Sequence, residues 1–347
     1  MLISIIIPIY NEEKKIRLAI NSCLAQEKVD MNQVEIIVAD GNSIDDSLGI
    51  IKSMMTKQSI KLISNEHRYM PHGFNKALTI TSGKYIMVMS GHSILEKDYL
   101  FNSLKAIRKY DAQCVSGVMD TIQDNHLGEI ISIAQSTPFG VGNTNFRTKI
   151  KSGRYVDTGV FGLYKAKIFL EIGGMDEELI KNQDDEFNFR MIQNGGKIWL
   201  DPSIKSKYFS RNTSTKLFKQ YFLYGFYKVR VFQKRRGISS IRQIIPAIFV
   251  LSLLISILLK ILINNTIFLI LIFGFYTVVN LMFSISAIIN RHKNIFSIPT
   301  LQLAYLILHF SYGIGFVIGL MYFFRSWSSI ETIDSNFNKE SFAKNKR

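Results

Sequence analysis

The chain has 347 residues, with 42 Lys and Arg against 27 Asp and Glu for a formal net charge of +15, and a mean hydropathy of +0.13. That length exceeds what one core usually fills and implies a sizeable domain plus a smaller unit. Between Pro202 and Ile330 there is no acidic residue but there are fifteen Lys and Arg, so the whole excess charge lies beside long apolar runs. This arrangement argues against a nucleic-acid partner and for anionic membrane lipids. Cys23 and Cys114 have neither metal-ligand nor disulfide-framework spacing, which fits a reducing, cytosolic soluble part.

Ile3 to Ile9 is a β-branched run, too short and without the basic start of a signal peptide, and predicts a buried first strand. Helix-period spacing follows over Glu12 to Gln26. Val34 to Asp40 predicts a second buried strand, closed by a Gly-Asn-Ser turn before a helix over Asp45 to Met55. Short strands at Ile60 to Ile63 and Tyr85 to Met89 flank a helix over Gly73 to Thr81. Alternating helices and continuously apolar strands predict a parallel, doubly wound α/β sheet. Ligands then sit at the carboxyl ends of its strands, at Tyr10, Asp40 and Ser90 to His92.

Lys205 to Arg242 carries eleven basic residues interleaved with aromatics, the composition of a segment lying on an anionic membrane surface. Three apolar stretches near the spanning length follow at about Ile244 to Ile263, Thr266 to Ile289 and Pro299 to Phe324, and are read as transmembrane helices. Pro246 and Lys260 interrupt the first, which either crosses or lies in the interface. The expected organisation is a catalytic domain over 1–204, a basic and aromatic segment over 205–243, membrane helices over 244–325 and a polar tail over 326–347. The positive-inside rule places the catalytic domain in the cytosol at the cell (inner) membrane, and an odd number of spans would put the tail outside.

The motifs SIIIPIYNEE, VADGNSIDDS, NEHRYMPHGFNKALTITSGKYI, NQDDEFN and RNTSTKLFKQYFLYGFYKVR occur in that order between Ser4 and Arg230. Together they resemble the family 2 glycosyltransferases, inverting enzymes of GT-A fold, and most closely the branch that builds bacterial exopolysaccharides such as succinoglycan. The resemblance implies a membrane-anchored enzyme that moves a sugar, such as glucose from a UDP donor, onto a polyprenyl-diphosphate-linked glycan. It further implies that Pro8, Tyr10, Glu12 and Asp40 bind the donor nucleotide, with Asp45 either touching donor or metal or capping the next helix, and Asn75 either contacting the ligand or shaping the pocket. The metal motif falls at Ser90-Gly91-His92, where Ser90 stands in place of the usual aspartate, leaving His92 as the ligand for Mg²⁺ or Mn²⁺.

Asp184 matches the family's catalytic base and Asp185 is the runner-up, while Asp157 lines the acceptor side and Asp176 holds a turn. Arg211 either contacts the leaving diphosphate or belongs to a membrane-surface helix. The Gln-x-x-Arg-Trp motif of processive synthases is absent, which favours addition of one sugar. Two alternatives stand beside this reading: a transferase using the lipid phosphate itself as acceptor, and an inactive membrane scaffold that binds nucleotide.

Overall fold

A computed structural model of the chain describes residues 1–55, 60–123, 125–142, 146, 150–209, 212–238, 240–327, 333 and 335–346. The elements in chain order are β1 (Ile3–Ile9), α1 (Ile16–Leu24), β2 (Val34–Asp40), α2 (Ser47–Met55), β3 (Ile60–Ser64), α3 (Met70–Thr79), β4 (Tyr85–Val88), β5 (Ser93–Leu95), α4 (Tyr99–Lys109) and β6 (Cys114–Ile122). Then come α5 (His126–Ala134), α6 (Pro138–Val141), β7 (Arg154–Val156), β8 (Leu163–Lys165), α7 (Lys167–Ile172), α8 (Gln183–Gln193) and β9 (Ile198–Phe209). The chain continues through α9 (Ser214–Arg235), α10 (Ile245–Ile263), α11 (Ile267–Asn290), α12 (Ile298–Tyr322) and α13 (Lys339–Lys344). Two compact units result: Met1–Thr121 with Lys149–Phe209 and Thr332–Arg347, and Ile122–Thr148 with Ser210–Glu331.

The first unit is a mixed α/β domain. Its sheet runs in the order β3-β2-β1-β4-β8-β6-β9-β5, with β7 paired to β9. β3, β2, β1 and β4 are parallel, as the alternation of strands and helices predicts. The doubly wound reading stops there, because β8 runs antiparallel to β4 and to β6, and both β5 and β7 run antiparallel to β9. Every residue of β2 is buried, as are six of the seven in β1, so these strands are apolar without alternation. The core on one face joins Ile6, Ile37, Phe74, Phe169 and Phe187 to Phe342 of α13. The segment expected to be a polar tail thus buries an aromatic ring.

Glu35, like Asp40 at the end of the strand, is a buried charged residue of β2. Its carboxylate accepts from Ser4 Oγ (2.5 Å), the Ser82 amide (2.7 Å), Ser82 Oγ (2.9 Å) and Lys61 Nζ (2.8 Å). Burial pushes its pKa up, but the bonds from Lys61, Ser4 and Ser82 outweigh it and bring the carboxyl down from 4.5 to about 2. Folding therefore lowers this pKa, so its contribution to stability is present above about 4.5 and is lost as pH falls through about 2. Glu35→Gln is expected to lower stability at neutral pH by about 1–3 kcal/mol and to flatten the pH dependence in that acid window. Thermal unfolding of the solubilised protein between those limits measures both effects.

In the second unit α10, α11 and the stretch Ile295–Tyr322 are each long and apolar enough to cross a membrane. α9 packs on α12 through small residues: a Cβ added at Gly225 would strike the Tyr312 carbonyl, and one at Gly315 the Phe222 carbonyl. The α5–α6 segment packs against α11 and α12. Phe139 stacks on Phe283 at 4.8 Å, its carbonyl lies 2.8 Å from His309 Nε2, and Thr137 Oγ1 lies 2.8 Å from the Tyr305 hydroxyl.

Candidate active site

The parallel strands order 3-2-1-4, so the chain turns opposite ways from β1, and the crevice beyond the carboxyl ends of such strands is where α/β sheets bind ligands. Four loops meet there, those after β1, β2, β3 and β4. The one after β1 starts with Asn11 in the left-handed region (φ 55°) and is knitted to the loop after β2. Asn11 N donates to Ser43 Oγ (2.9 Å), Ile44 N to Asn11 Oδ1 (2.9 Å) and Glu12 N to Ser47 Oγ (2.8 Å). These bonds hold residues 11–15 out of the helix, so α1 begins at Ile16 rather than at Glu12.

Asp45 belongs to this knitting. Its carboxylate accepts from Ser47 Oγ (2.5 Å), Ser47 N (3.1 Å) and Glu13 N (3.1 Å). Burial would raise its pKa, but these bonds bring it below the ordinary value. Asp45 thereby braces the start of α2 against the loop after β1.

Asp40 ends β2 and is 4% exposed. Its Oδ2 accepts from Ser43 N at 3.1 Å, whereas Oδ1 is buried and, among the described residues, has no hydrogen-bond partner. Beside it Gly41 passes beneath the next loop, where a Cβ would lie 2.8 Å from the Arg68 carbonyl and 3.0 Å from that of Ile9. Arg68, itself in the left-handed region, lays its guanidinium 4.4 Å from the centre of the Tyr10 ring. Arg68 lies within the NEHRYMPHGFN motif, but its contact with Tyr10 is not legible there because it joins loops 58 residues apart in the chain. Pro8 sits within β1, paired with Ala39 one residue before Asp40.

Ser90, Gly91 and His92 follow β4. Gly91 permits a close approach, since a Cβ there would lie 2.8 Å from Ile9 and 3.1 Å from Glu12. His92 Nδ1 is 2.6 Å from Glu12 Oε1, Nε2 is 3.0 Å from the Tyr208 hydroxyl, and Ser90 Oγ is 3.1 Å from Nδ1. Among the described residues no three His, Cys, Asp or Glu side chains converge on one point. Glu12 and His92 offer a carboxylate oxygen and a ring nitrogen, donor types that suit Mg²⁺ and Mn²⁺, where Ser90 offers only a hydroxyl. Tyr208, on β9, is the member of this group that the sequence motifs do not reveal.

The acidic run lies on α8, where successive residues point about 100° apart. Asp184 is exposed, Asp185 half-buried and Glu186 fully buried. Glu186 holds Arg190, with Nε to Oε1 at 2.9 Å and Nη2 to Oε2 at 3.0 Å, and Arg190 in turn donates to the carbonyls of Ile172 and, at 2.7 Å, Gly174. The Glu186/Arg190 spacing is the signal that could have marked this pair as structural from sequence.

Gln183 Nε2 lies 3.4 Å from Met70 Sδ, which brings the start of α8 to the start of α3, two residues past Arg68. Burial first, then the charges of Cys114 and Asp184, push the Tyr164 hydroxyl well above its ordinary pKa. That hydroxyl donates to Asn188 Oδ1 at 3.0 Å, so the turn of α8 after Asp184 packs on β8, the strand beside β4. Asp157 directly follows β7.

Asn75 is buried, accepts from Met175 N (2.8 Å) and donates to the Met175 carbonyl and Glu177 Oε1, both at 2.8 Å. Its bonds position the 172–177 turn. Asp176 Oδ1 accepts from Glu178 N at 3.1 Å within that turn. Arg211 lies outside the described residues.

A GT-A-like sheet with an unsatisfied buried carboxylate at one strand end and an acidic helix start nearby defines a nucleotide-sugar transferase domain. The comparisons agree. A model of the Glycosyl transferase family 2 matches residues 4–173. The dolichyl N-acetyl-alpha-D-glucosaminyl phosphate 3-beta-D-2,3-diacetamido-2,3-dideoxy-beta-D-glucuronosyltransferase of Methanococcus voltae is 33% identical over 261 residues, covering 73% of this chain and 80% of that one. Succinoglycan biosynthesis protein ExoA of Rhizobium meliloti is 26% identical over 245 residues, 70% of this chain and 73% of that one. Staphylococcus aureus TarS 1-349 in complex with UDP-GlcNAc shares the fold, with a TM-score of 0.51 at 16% identity over 94% of this chain and 92% of that chain. The chain belongs to glycosyl transferase family 2 and is a glycosyltransferase related to polysaccharide biosynthesis enzymes.

Proposed function

We propose that this glycosyltransferase is anchored in the cell (inner) membrane and, at its cytosolic face, moves one sugar from a nucleotide-sugar donor to a lipid-linked glycan during extracellular polysaccharide synthesis. The observation that carries the reading is Asp40 Oδ1, a buried carboxylate oxygen without a partner among the described residues, at the carboxyl end of a parallel strand. Such an atom costs free energy unless a ligand supplies the missing donor, and the imide N–H of a uracil base does so.

In this reading Tyr10 and Arg68 form a stacked wall at the nucleotide and Pro8 shapes the turn into it. Glu12 and His92 would hold the divalent cation, which when bound would neutralise charge on the diphosphate leaving group. Asp184 accepts the proton of the acceptor hydroxyl as its oxygen bonds to the anomeric carbon. The carbon–oxygen bond to the diphosphate breaks, and its electron pair leaves with the nucleoside diphosphate. Attack from the face opposite the leaving group inverts the anomeric centre. Asp185 is the second candidate base, and Asp157 is assigned to the acceptor side.

The Methanococcus voltae relative is named for transfer to a sugar already carried on a dolichyl phosphate, which supports a lipid-linked glycan rather than the bare lipid phosphate as acceptor. The test is release of nucleoside diphosphate by the detergent-solubilised protein with Mn²⁺, across UDP-glucose, UDP-GlcNAc and a UDP-uronic acid, with polyprenyl-diphosphate glycan or polyprenyl phosphate as acceptor. Asp40→Asn is expected to weaken donor binding by about 10- to 150-fold, the loss of about 1.5–3 kcal/mol from a charge-assisted hydrogen bond. Turnover with polyprenyl phosphate alone would sink the acceptor assignment. Nucleotide binding without turnover on any donor would favour the scaffold reading.

A further inference from the structure

We infer that the apolar helices cross the membrane twice, as the α10–α11 hairpin, and that α12 lies with α9 at the bilayer surface on the side of the catalytic unit. The inference rests on chain connectivity and packing and does not depend on which sugar or acceptor is used.

The first observation is where the chain goes after α12. Residues 335–346 are part of the catalytic unit: Phe342 is 0% exposed in the core beside Phe169 and Phe187. Asn336 Nδ2 donates to Glu177 Oε2 (2.8 Å), Asn345 Nδ2 to the Thr79 carbonyl (2.8 Å) and Lys346 Nζ to the Gly83 carbonyl. The chain enters the helical unit from Phe209 and returns to the same folded core, so the number of crossings between those points is even. Three full spans are incompatible with this.

The second observation fixes the side of the α11–α12 connection. The 27-residue segment Ile122–Thr148 leaves the catalytic unit and comes back to it, too short for two spans of roughly 20 residues each, so it stays on the catalytic side. Arg291 Nη2 donates to Ser136 Oγ of that segment at 2.7 Å, and Lys293 pairs with Glu129. The connection is therefore on the catalytic side as well. Hence α10 goes out, α11 comes back, and α12 begins and ends where it started.

The third observation is the company α12 keeps. α9 carries Lys216, Lys219, Lys228, Arg230, Lys234 and Arg235, and a charge at the centre of a bilayer costs a few kcal/mol each, so α9 stays out of the hydrocarbon. α12 runs parallel to it in close contact: Gly315 against Phe222, Gly319 against Phe226, Gln233 Nε2 donating to the Phe323 carbonyl at 2.8 Å and Arg230 Nη1 to the Ser326 carbonyl at 3.0 Å. A helix held along its length against a basic one shares its depth. α12 is also the most covered of the three apolar helices, 44% buried against 22% for α10 and 17% for α11, whose side chains are the ones left facing lipid.

The experiment introduces single cysteines into the full chain at exposed positions, Lys52→Cys on α2, Lys344→Cys after the third helix and Asn264→Cys at the hairpin tip, and labels sealed everted vesicles and intact spheroplasts with a membrane-impermeant maleimide. Cys23 and Cys114 are buried and give a low background. K52C and K344C are expected to react from one and the same face, and N264C only from the other. Reaction of K344C from the face opposite K52C, or of N264C from the same face as K52C, overturns the inference. If K52C and K344C both react in spheroplasts, the inference stands and the cytosolic placement of the catalytic unit fails instead, so the two readings separate.

Discussion

Asp184→Asn is expected to lower turnover by about 10²- to 10⁴-fold, the usual contribution of a positioned general base, while leaving donor affinity unchanged. The isostere keeps the size of the side chain and its place in the first turn of α8, so only the capacity to take a proton is lost. The side chain is exposed, and the turn of α8 after Asp184 packs on β8 while its neighbour Gln183 touches Met70 at the start of α3, on the side of the Tyr10–Arg68 wall. Single-turnover kinetics separate chemistry from binding, and nucleotide titration supplies the second number. Full turnover in the variant would eliminate Asp184 as the base; collapse in Asp185→Asn alone would transfer the role to that residue.

Glu186→Ala should behave in the opposite way, with a loss of stability of about 3–5 kcal/mol, because removing one partner of a buried ion pair strands the other. The stranded group is Arg190, 3% exposed, whose guanidinium also caps the carbonyls of Ile172 and Gly174. Since Asn75 holds the same turn from its other side through Met175, loosening Arg190 also loosens the chain that leads into α8. Thermal and denaturant unfolding of the solubilised protein should therefore report a lowered midpoint. Activity, measured well below that midpoint, should fall less than in Asp184→Asn. An unfolding midpoint equal to that of the parent protein would refute the structural assignment of Glu186.

These two substitutions, two residues apart, divide what can be read from the chain. Continuous β-branched runs placed β1 and β2 to the residue, with Tyr10, Asp40 and Ser90 to His92 at or just past the ends of parallel strands, because a parallel strand buried on both faces has no other way to be written. The separation of charge from acid between Pro202 and Ile330 likewise marked the part whose helices are long and apolar enough to cross a membrane. For Asp45 and Asn75 the structure adds their hydrogen-bond partners: Ser47 and Glu13 for one, Met175 and Glu177 for the other.

The sequence by itself determined the four parallel strands, the polar residues that follow them and the three apolar helices, because burial imposes a period or a length on each. Only the tertiary structure decided the antiparallel half of the sheet, the Arg68–Tyr10 wall, the Glu12–His92–Tyr208 group, and the return of Phe342 into the catalytic core. Each of these joins residues far apart in the chain, in the case of His92 and Tyr208 by 116 positions. Local periodicity records which side of an element is buried; what it is buried against is settled by chain closure.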